Sequence, residues 1–367
     1  MAQRLLLLNG LAIVSVILFH ASGWGLTALF PWRDRYLPFV AENYEPLGSV
    51  AYYGLRVIEQ FISFSIPVFL FVSGFFVASS GRRNEPISWR LVGTRLKKLL
   101  IPYLVWCLFL FLLRFLEGRT YSATWYITSI LTGRTNESHY YVVVLCQYYL
   151  LSPLLVWFAL RRPRLLIIGA GVMELVVQLL YYPVLLGIDI PWMRPFVDVV
   201  PKFLFPTRIF WFCLGIVVRF HFDAAMAWAH RWKWSLLAAT VITFSLGIPE
   251  WEFFFRRSPE WLNHRETLVD NVYHLALLFT FLGFDRVRIP FSKQISAAGE
   301  KSYGIYLAHA PVMEYFSRSV YHLAPWMLAY QVLFQPMLIV LGLAVPLLMM
   351  AALRRSPARR LYQYVFG

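Results

Sequence analysis

Residues 5–24 read LLLLNGLAIVSVILFHASGW. They contain no Lys, Arg, Asp or Glu, and the run has the roughly 20 residues a helix needs to cross a bilayer. One ionisable side chain interrupts it, His20. An ionisable group in hydrocarbon is costly, so it faces the protein interior and marks function by default. The plainer alternative is an imidazole that merely hydrogen-bonds a neighbouring helix. A polytopic membrane protein with intramembrane chemistry is the reading that this stretch sets for the rest of the chain.

The remainder agrees. Of 367 residues, 59% are hydrophobic, 18% aromatic and 14% charged, whereas soluble domains carry about 25% charged residues. The predicted class is all-α, a polytopic membrane bundle in which residues 1–367 form one domain. Ten spans can be drawn: 5–24, 57–80, 99–116, 140–160, 165–187, 203–220, 234–249, 268–284, 302–320 and 327–353. The connections 25–56, 117–139, 188–202 and 250–267 read as long loops. The first span is too long for a signal-peptide core and has no small-residue cleavage site after it, so it reads as a retained helix.

Charge in the loops predicts orientation. Most of the 34 basic residues fall in alternate connections, among them Arg82, Arg83, Arg90, Arg95, Lys97, Lys98, Arg161, Arg162, Arg164, Arg354 and Arg355, with Arg4 at the start. The positive-inside rule then places both termini in the cytoplasm, in a multi-pass protein of the inner (plasma) membrane. The net charge of +15 reflects these topology signals and an affinity for anionic lipid. No basic run interleaved with aromatics suggests nucleic acid. Cys107, Cys146 and Cys213 lie in apolar spans without CxxC or Cys/His spacing, so neither a disulfide framework nor a metal site is indicated.

Helical rise converts position into depth. His20 lies about 22 Å from the start of its span, in the outer third. Arg208, Asp270 and His274 lie within about 10 Å of the outer face. Glu314 is slightly deeper and Glu174 is near the midplane. Together they would line one chamber that opens outward. Asp270 and His274, four residues apart, share a helix face, although Arg208 and Asp270 also suit snorkelling helix ends. On the other side, Arg95, Lys97 and Lys98 crowd the start of the third span, where simple topology marking is the competing reading. His309 lies about 10 Å from the cytoplasmic start of its span, so His20 and His309 are not expected to touch. A basic inner mouth and an outer histidine suit a reaction between an anionic reactant from inside and a second reactant outside.

Several segments, in order, resemble the acyltransferase-3 family of integral-membrane acyltransferases. They are Asn9-Gly10-Leu11-Ala12 with Val16 and His20; Ile66-Pro67-Val68-Phe69-Leu70-Phe71-Val72-Ser73-Gly74-Phe75-Phe76; and Arg95-Leu96-Lys97-Lys98-Leu99-Leu100-Ile101-Pro102-Tyr103. Ser302-Tyr303-Gly304-Ile305-Tyr306-Leu307-Ala308-His309 is similar to the family's late signature. Tyr148 to Pro153 and Phe212 to Ile216 are weaker echoes. The resemblance implies transfer of an acyl group, commonly acetyl from acetyl-CoA, to a hydroxyl of an extracytoplasmic glycan or lipid-linked sugar. Acyl-CoA is then a co-substrate rather than a resident cofactor. It further implies that His20 is the catalytic histidine and that Arg95 and Lys98 belong to the donor-side basic motif. One departure stands out: the family usually has Arg, sometimes Lys, eleven residues before that histidine, and here the position is Asn9, with Arg4 five residues earlier.

A neutral imidazole suits removal of a hydroxyl proton because its unperturbed pKa lies near operating pH. Glu314 is the candidate to orient it. Ser73, Tyr303 and Arg208 are candidate oxyanion donors, with Asn9, Glu174, His274, Tyr306 and His309 as further chamber-lining candidates. Two other classes fit polar intramembrane residues: a transporter or exporter of a glycan or lipid-linked intermediate, and a non-catalytic scaffold of envelope assembly. The absence of a visible inverted repeat weighs against the transporter, and Asn9 is what keeps the scaffold in view.

Overall fold

The computed structural model describes residues 2–30, 32–33, 40–41, 48–80, 87–188, 190–192, 203–257 and 267–367. Arg82 and Arg83, and most of the 188–202 connection, lie outside the described residues.

The described chain is helical apart from a two-residue antiparallel pairing of Trp32–Arg33 with Val40–Ala41. Its helices are α1 Ala2–Leu29, α2 Val50–Ile62, α3 Ser65–Ser79, α4 Trp89–Leu116, α5 Ala123–Thr132, α6 Tyr140–Arg161, α7 Pro163–Leu185, α8 Ile209–Phe220, α9 Phe222–Phe255, α10 Leu268–Gly283, α11 Ser292–Glu300, α12 Ser302–Leu323, α13 Gln331–Arg355 and α14 Tyr362–Val365. Among the described residues, seven helical segments are long and apolar enough to cross a membrane, with α2 and α3 counted as one. All ten expected spans are helical. Three of them, α8, α10 and α12, fall outside the seven.

Proline sets several local breaks. α2 ends at Ile62 and α3 starts at Ser65, because Pro67 has no N–H to continue the ladder onto the Ser63 carbonyl. In α4, Pro102 removes the bond to the Lys98 carbonyl just above the basic cluster. In α6, Pro153 frees the Tyr149 carbonyl, which the Ser152 hydroxyl takes up at 2.7 Å. In hydrocarbon such a freed carbonyl needs a partner from within the protein.

The expected loop 117–139 contains α5, which corrects the sequence reading. Ser122 caps its start by accepting from the Trp125 N–H, and Gly133 stops it in the left-handed region at φ 70°. α5 folds back along α4, with Phe111 against Tyr126 and the Tyr103 hydroxyl donating to the Ile130 carbonyl at 2.5 Å. The core joins α1, α3, α4, α6, α8 and α12 in one continuous apolar cluster.

Candidate functional site

α1 is anchored at its first turns. Arg4 donates to the carbonyl of Phe281 in the last turn of α10 and to those of Phe284, Asp285 and Val287 just beyond its end. A cation there also complements the negative end of the helix dipole. Arg4 is therefore committed to α10 and does not stand in for a cation at position 9. Asn9 Nδ2 donates to the Gly299 carbonyl and to Ser302 Oγ, each at 2.8 Å. Asn9 thus joins α1 to the α11–α12 corner.

The expected separation of His20 and His309 does not hold. Their ring centroids are 5.1 Å apart. The depth arithmetic took both spans to start in one plane. The Asn9–Ser302 bond instead sets the first residue of α12 level with the third turn of α1. The first two turns of α1, about 10 Å of helix, lie beyond the start of α12.

His309 is 0% exposed. Its Nδ1 lies 2.7 Å from the Tyr306 carbonyl oxygen and 3.2 Å from that of Ile305. Since a carbonyl only accepts, Nδ1 carries the proton and Nε2 presents a lone pair. That Nε2 is buried and has no hydrogen-bond partner among the described residues.

A file of aromatic and hydroxyl side chains joins this pair to the basic cluster. Tyr306 lies 5.8 Å from His309 and 5.5 Å from Tyr141, ring to ring. Ser73 is a near neighbour of both Tyr141 and Tyr149. The Arg95 guanidinium sits 5.6 Å from the Tyr149 ring centroid, donates to the Phe76 carbonyl at 3.1 Å and bonds Ser80 Oγ. Lys97 and Lys98 are exposed beside it. The file therefore runs Arg95, Tyr149, Ser73, Tyr141, Tyr306, His309, His20, across five helices.

Other expected site residues fall elsewhere. Glu314 pairs with Arg318, which also meets Glu117 at 3.5 Å, while Tyr315 donates to Glu117 at 2.6 Å. The Tyr303 hydroxyl donates to the Leu99 carbonyl and ties α12 to α4. Glu174 accepts the Phe210 N–H at 3.0 Å, satisfying a first-turn donor of α8. Arg208 lies over Tyr140 at 5.2 Å and near His274. His274 Nε2 meets Ser63 Oγ at 2.8 Å. Asp270 accepts from Gln60 at 2.9 Å and closes a capping box with Thr267. Glu174, Asp270 and their neighbours are thus engaged in satisfying helix ends.

His139 was missed because it lies at the edge of a predicted span. It is fully buried, with Nδ1 3.9 Å from Cys107 Sγ and its ring 5.4 Å from that of Tyr103. Its imidazole also lies near the Leu307 carbonyl and couples electrostatically to His309. Pro311 is what frees that carbonyl within α12. A proline two residues after a signature histidine was the available signal.

Fold and site together describe a multi-pass helical membrane protein with a histidine pair, His309 buried and His20 half-buried, reached by a polar file from a basic helix start. A family model for an acyltransferase domain, that of the acyltransferase-3 family, matches residues 5–354. The chain belongs to that family. No curated protein and no solved structure matches it.

Proposed function

We propose that this membrane acyltransferase moves an acyl group, acetyl in the simplest case, from cytoplasmic acyl-CoA to a hydroxyl of an extracytoplasmic glycan or lipid-linked sugar. The observation that carries this reading is the polar file from Arg95 to the His20–His309 pair. It gives a thioester arm a route between a cationic binding surface and a base. Lys97 and Lys98, exposed at the start of α4, meet the CoA phosphates as point charges, with the inward-turned Arg95 behind them.

His20 takes the acceptor hydroxyl's proton as the hydroxyl oxygen bonds to the thioester carbonyl carbon. The carbon–sulfur bond then breaks, and the proton passes to the departing thiolate. The products are an ester and free CoA thiol. Of the three candidate oxyanion donors, Ser73 alone lies in the file, beside Tyr141 on the path of the thioester arm.

The test uses membrane vesicles that hold the full chain, supplied with radiolabelled acetyl-CoA. Label should enter envelope glycan in the wild type. His20→Ala should lower transfer by at least about 100-fold, the lower end of what a positioned base contributes, at normal membrane abundance. Wild-type transfer by that variant would refute the assignment of His20.

A further inference from the structure

At the histidine pair, the buried Nε2 of His309 has no hydrogen-bond partner among the described residues. A buried acceptor without a donor costs about 1–3 kcal/mol, and such groups in native proteins call for an explanation. Solvent does not supply one, because the atom is inaccessible. Nor does a change of tautomer, because Nδ1 must keep its proton for the Tyr306 carbonyl at 2.7 Å. The His309 ring is held by that carbonyl, by the Tyr306 ring and by its place in the core. The result is a rigid lone pair on α12, beside an imidazole carried by α1.

We propose that His309 is the positioning residue of His20: its Nε2 accepts the N–H of the His20 imidazole. That bond holds His20 in the tautomer whose other nitrogen carries the lone pair facing the substrate hydroxyl. The proposal rests on the reading of His20 as the base. The ring centroids are 5.1 Å apart. With the two rings tilted by 56° the bond is not made in the structure; a turn of the His20 imidazole toward Nε2 closes it to the roughly 3 Å of a nitrogen–nitrogen hydrogen bond. Hydrogen bonds of this kind tighten when substrates bind. A carboxylate usually fills the role, and Glu314 was the sequence candidate. Glu314 is paired with Arg318 one turn away on the same helix. A neutral imidazole acceptor fixes the tautomer without adding a charge to the membrane interior, where charge is costly.

Removal of the acceptor should act on turnover rather than on donor binding. In vesicles supplied with radiolabelled acetyl-CoA, His309→Ala should lower kcat about 100-fold and leave the KM for acetyl-CoA near wild type. His309→Gln should recover part of the rate, because its side-chain oxygen can accept the same N–H. Nitrogen NMR of labelled histidine should show a single His20 tautomer in the wild type and a mixture in His309→Ala. Wild-type kcat in His309→Ala would overturn the proposal. So would a mixed His20 tautomer in the wild-type protein, a measurement that needs no variant to fold. An inactive His20→Ala beside a fully active His309→Ala would remove this inference alone. An active His20→Ala would remove the reading of His20 as the base.

Discussion

Arg95 and its two lysine neighbours separate structure from binding at the level of single residues. Arg95 turns inward and ties α4 to the end of α3 through Phe76 and Ser80. Lys97 and Lys98 are exposed and make no such tie. Lys97→Ala and Lys98→Ala should therefore each weaken acyl-CoA binding about 10-fold, the worth of one charge-assisted contact, with no change in thermal stability. Binding of acetyl-CoA to purified protein, measured calorimetrically, checks this; unchanged affinity in the double variant reduces both lysines to topology signals. Asn9 predicts the opposite pattern. Loss of its two hydrogen bonds in Asn9→Ala should cost about 1–2 kcal/mol, seen as a lower Tm, with acyl-CoA affinity intact. A normal Tm with weakened binding would return Asn9 to the donor side. The individual candidate residues were legible where a charge or imidazole broke an apolar run, as at His20, Arg95 and His309. Their contact was not, because it depends on the axial offset between α1 and α12, which no position along one helix encodes. His139 was less legible still, since its neighbours Tyr103, Cys107 and His309 lie far along the chain from it.

The crossing of α3 and α8 rests on two reciprocal glycines. A Cβ on Gly74 would run into the Phe212 carbonyl oxygen, and one on Gly215 into the Phe71 carbonyl oxygen. Between helices in lipid, such close approach replaces the hydrophobic drive available in water. Gly74 directly follows Ser73, so the same crossing sets the position of Ser73 in the file. Gly74→Val and Gly215→Val should each push the helices apart and cost about 1–3 kcal/mol. Gly93 in α4 supplies the control. No atom lies within 4 Å of the position its Cβ would take, so Gly93→Ala should be neutral or stabilise by up to about 1 kcal/mol through helix propensity. Thermal unfolding in one detergent compares all three, and an equal Tm for Gly74→Val and wild type would dismiss the crossing as a constraint. The helices were legible from apolar length, and both the Pro67 break and the Ser122 and Gly133 ends of α5 were written in the sequence. α5 was read as loop because its 10 residues fall short of a span. Only its return along α4 shows that the segment belongs to the packed bundle.

For the whole molecule, the decisive quantity is the number of crossings, because it fixes which side receives each terminus. α8 has 12 residues and α10 has 16. At about 1.5 Å per residue they are some 18 and 24 Å long, short of the roughly 30 Å hydrocarbon layer. Neither has to meet that thickness alone. α8 is buried along most of its length against α3, α6 and α7, and its first turn continues the Phe205–Thr207 turn. Polar backbone at that depth is tolerated when it is enclosed by protein. α10 lies along α9, whose 34 residues extend well beyond any bilayer. The basic loops obey one alternation only if both short helices count as crossings, as does α12. On that count both termini are expected in the cytoplasm, with α5 and the α4–α5 turn on the opposite side. Single cysteines at exposed Thr124 and Lys293, placed in a chain whose Cys107, Cys146 and Cys213 are replaced by serine or alanine, should respond oppositely to a membrane-impermeant maleimide. Thr124→Cys should label in intact cells, and Lys293→Cys only after the membrane is opened. Labelling of both in intact cells would mean that one short helix does not cross, and would place the α11–α12 corner, with Asn9 and the start of the signature helix, on the acceptor side.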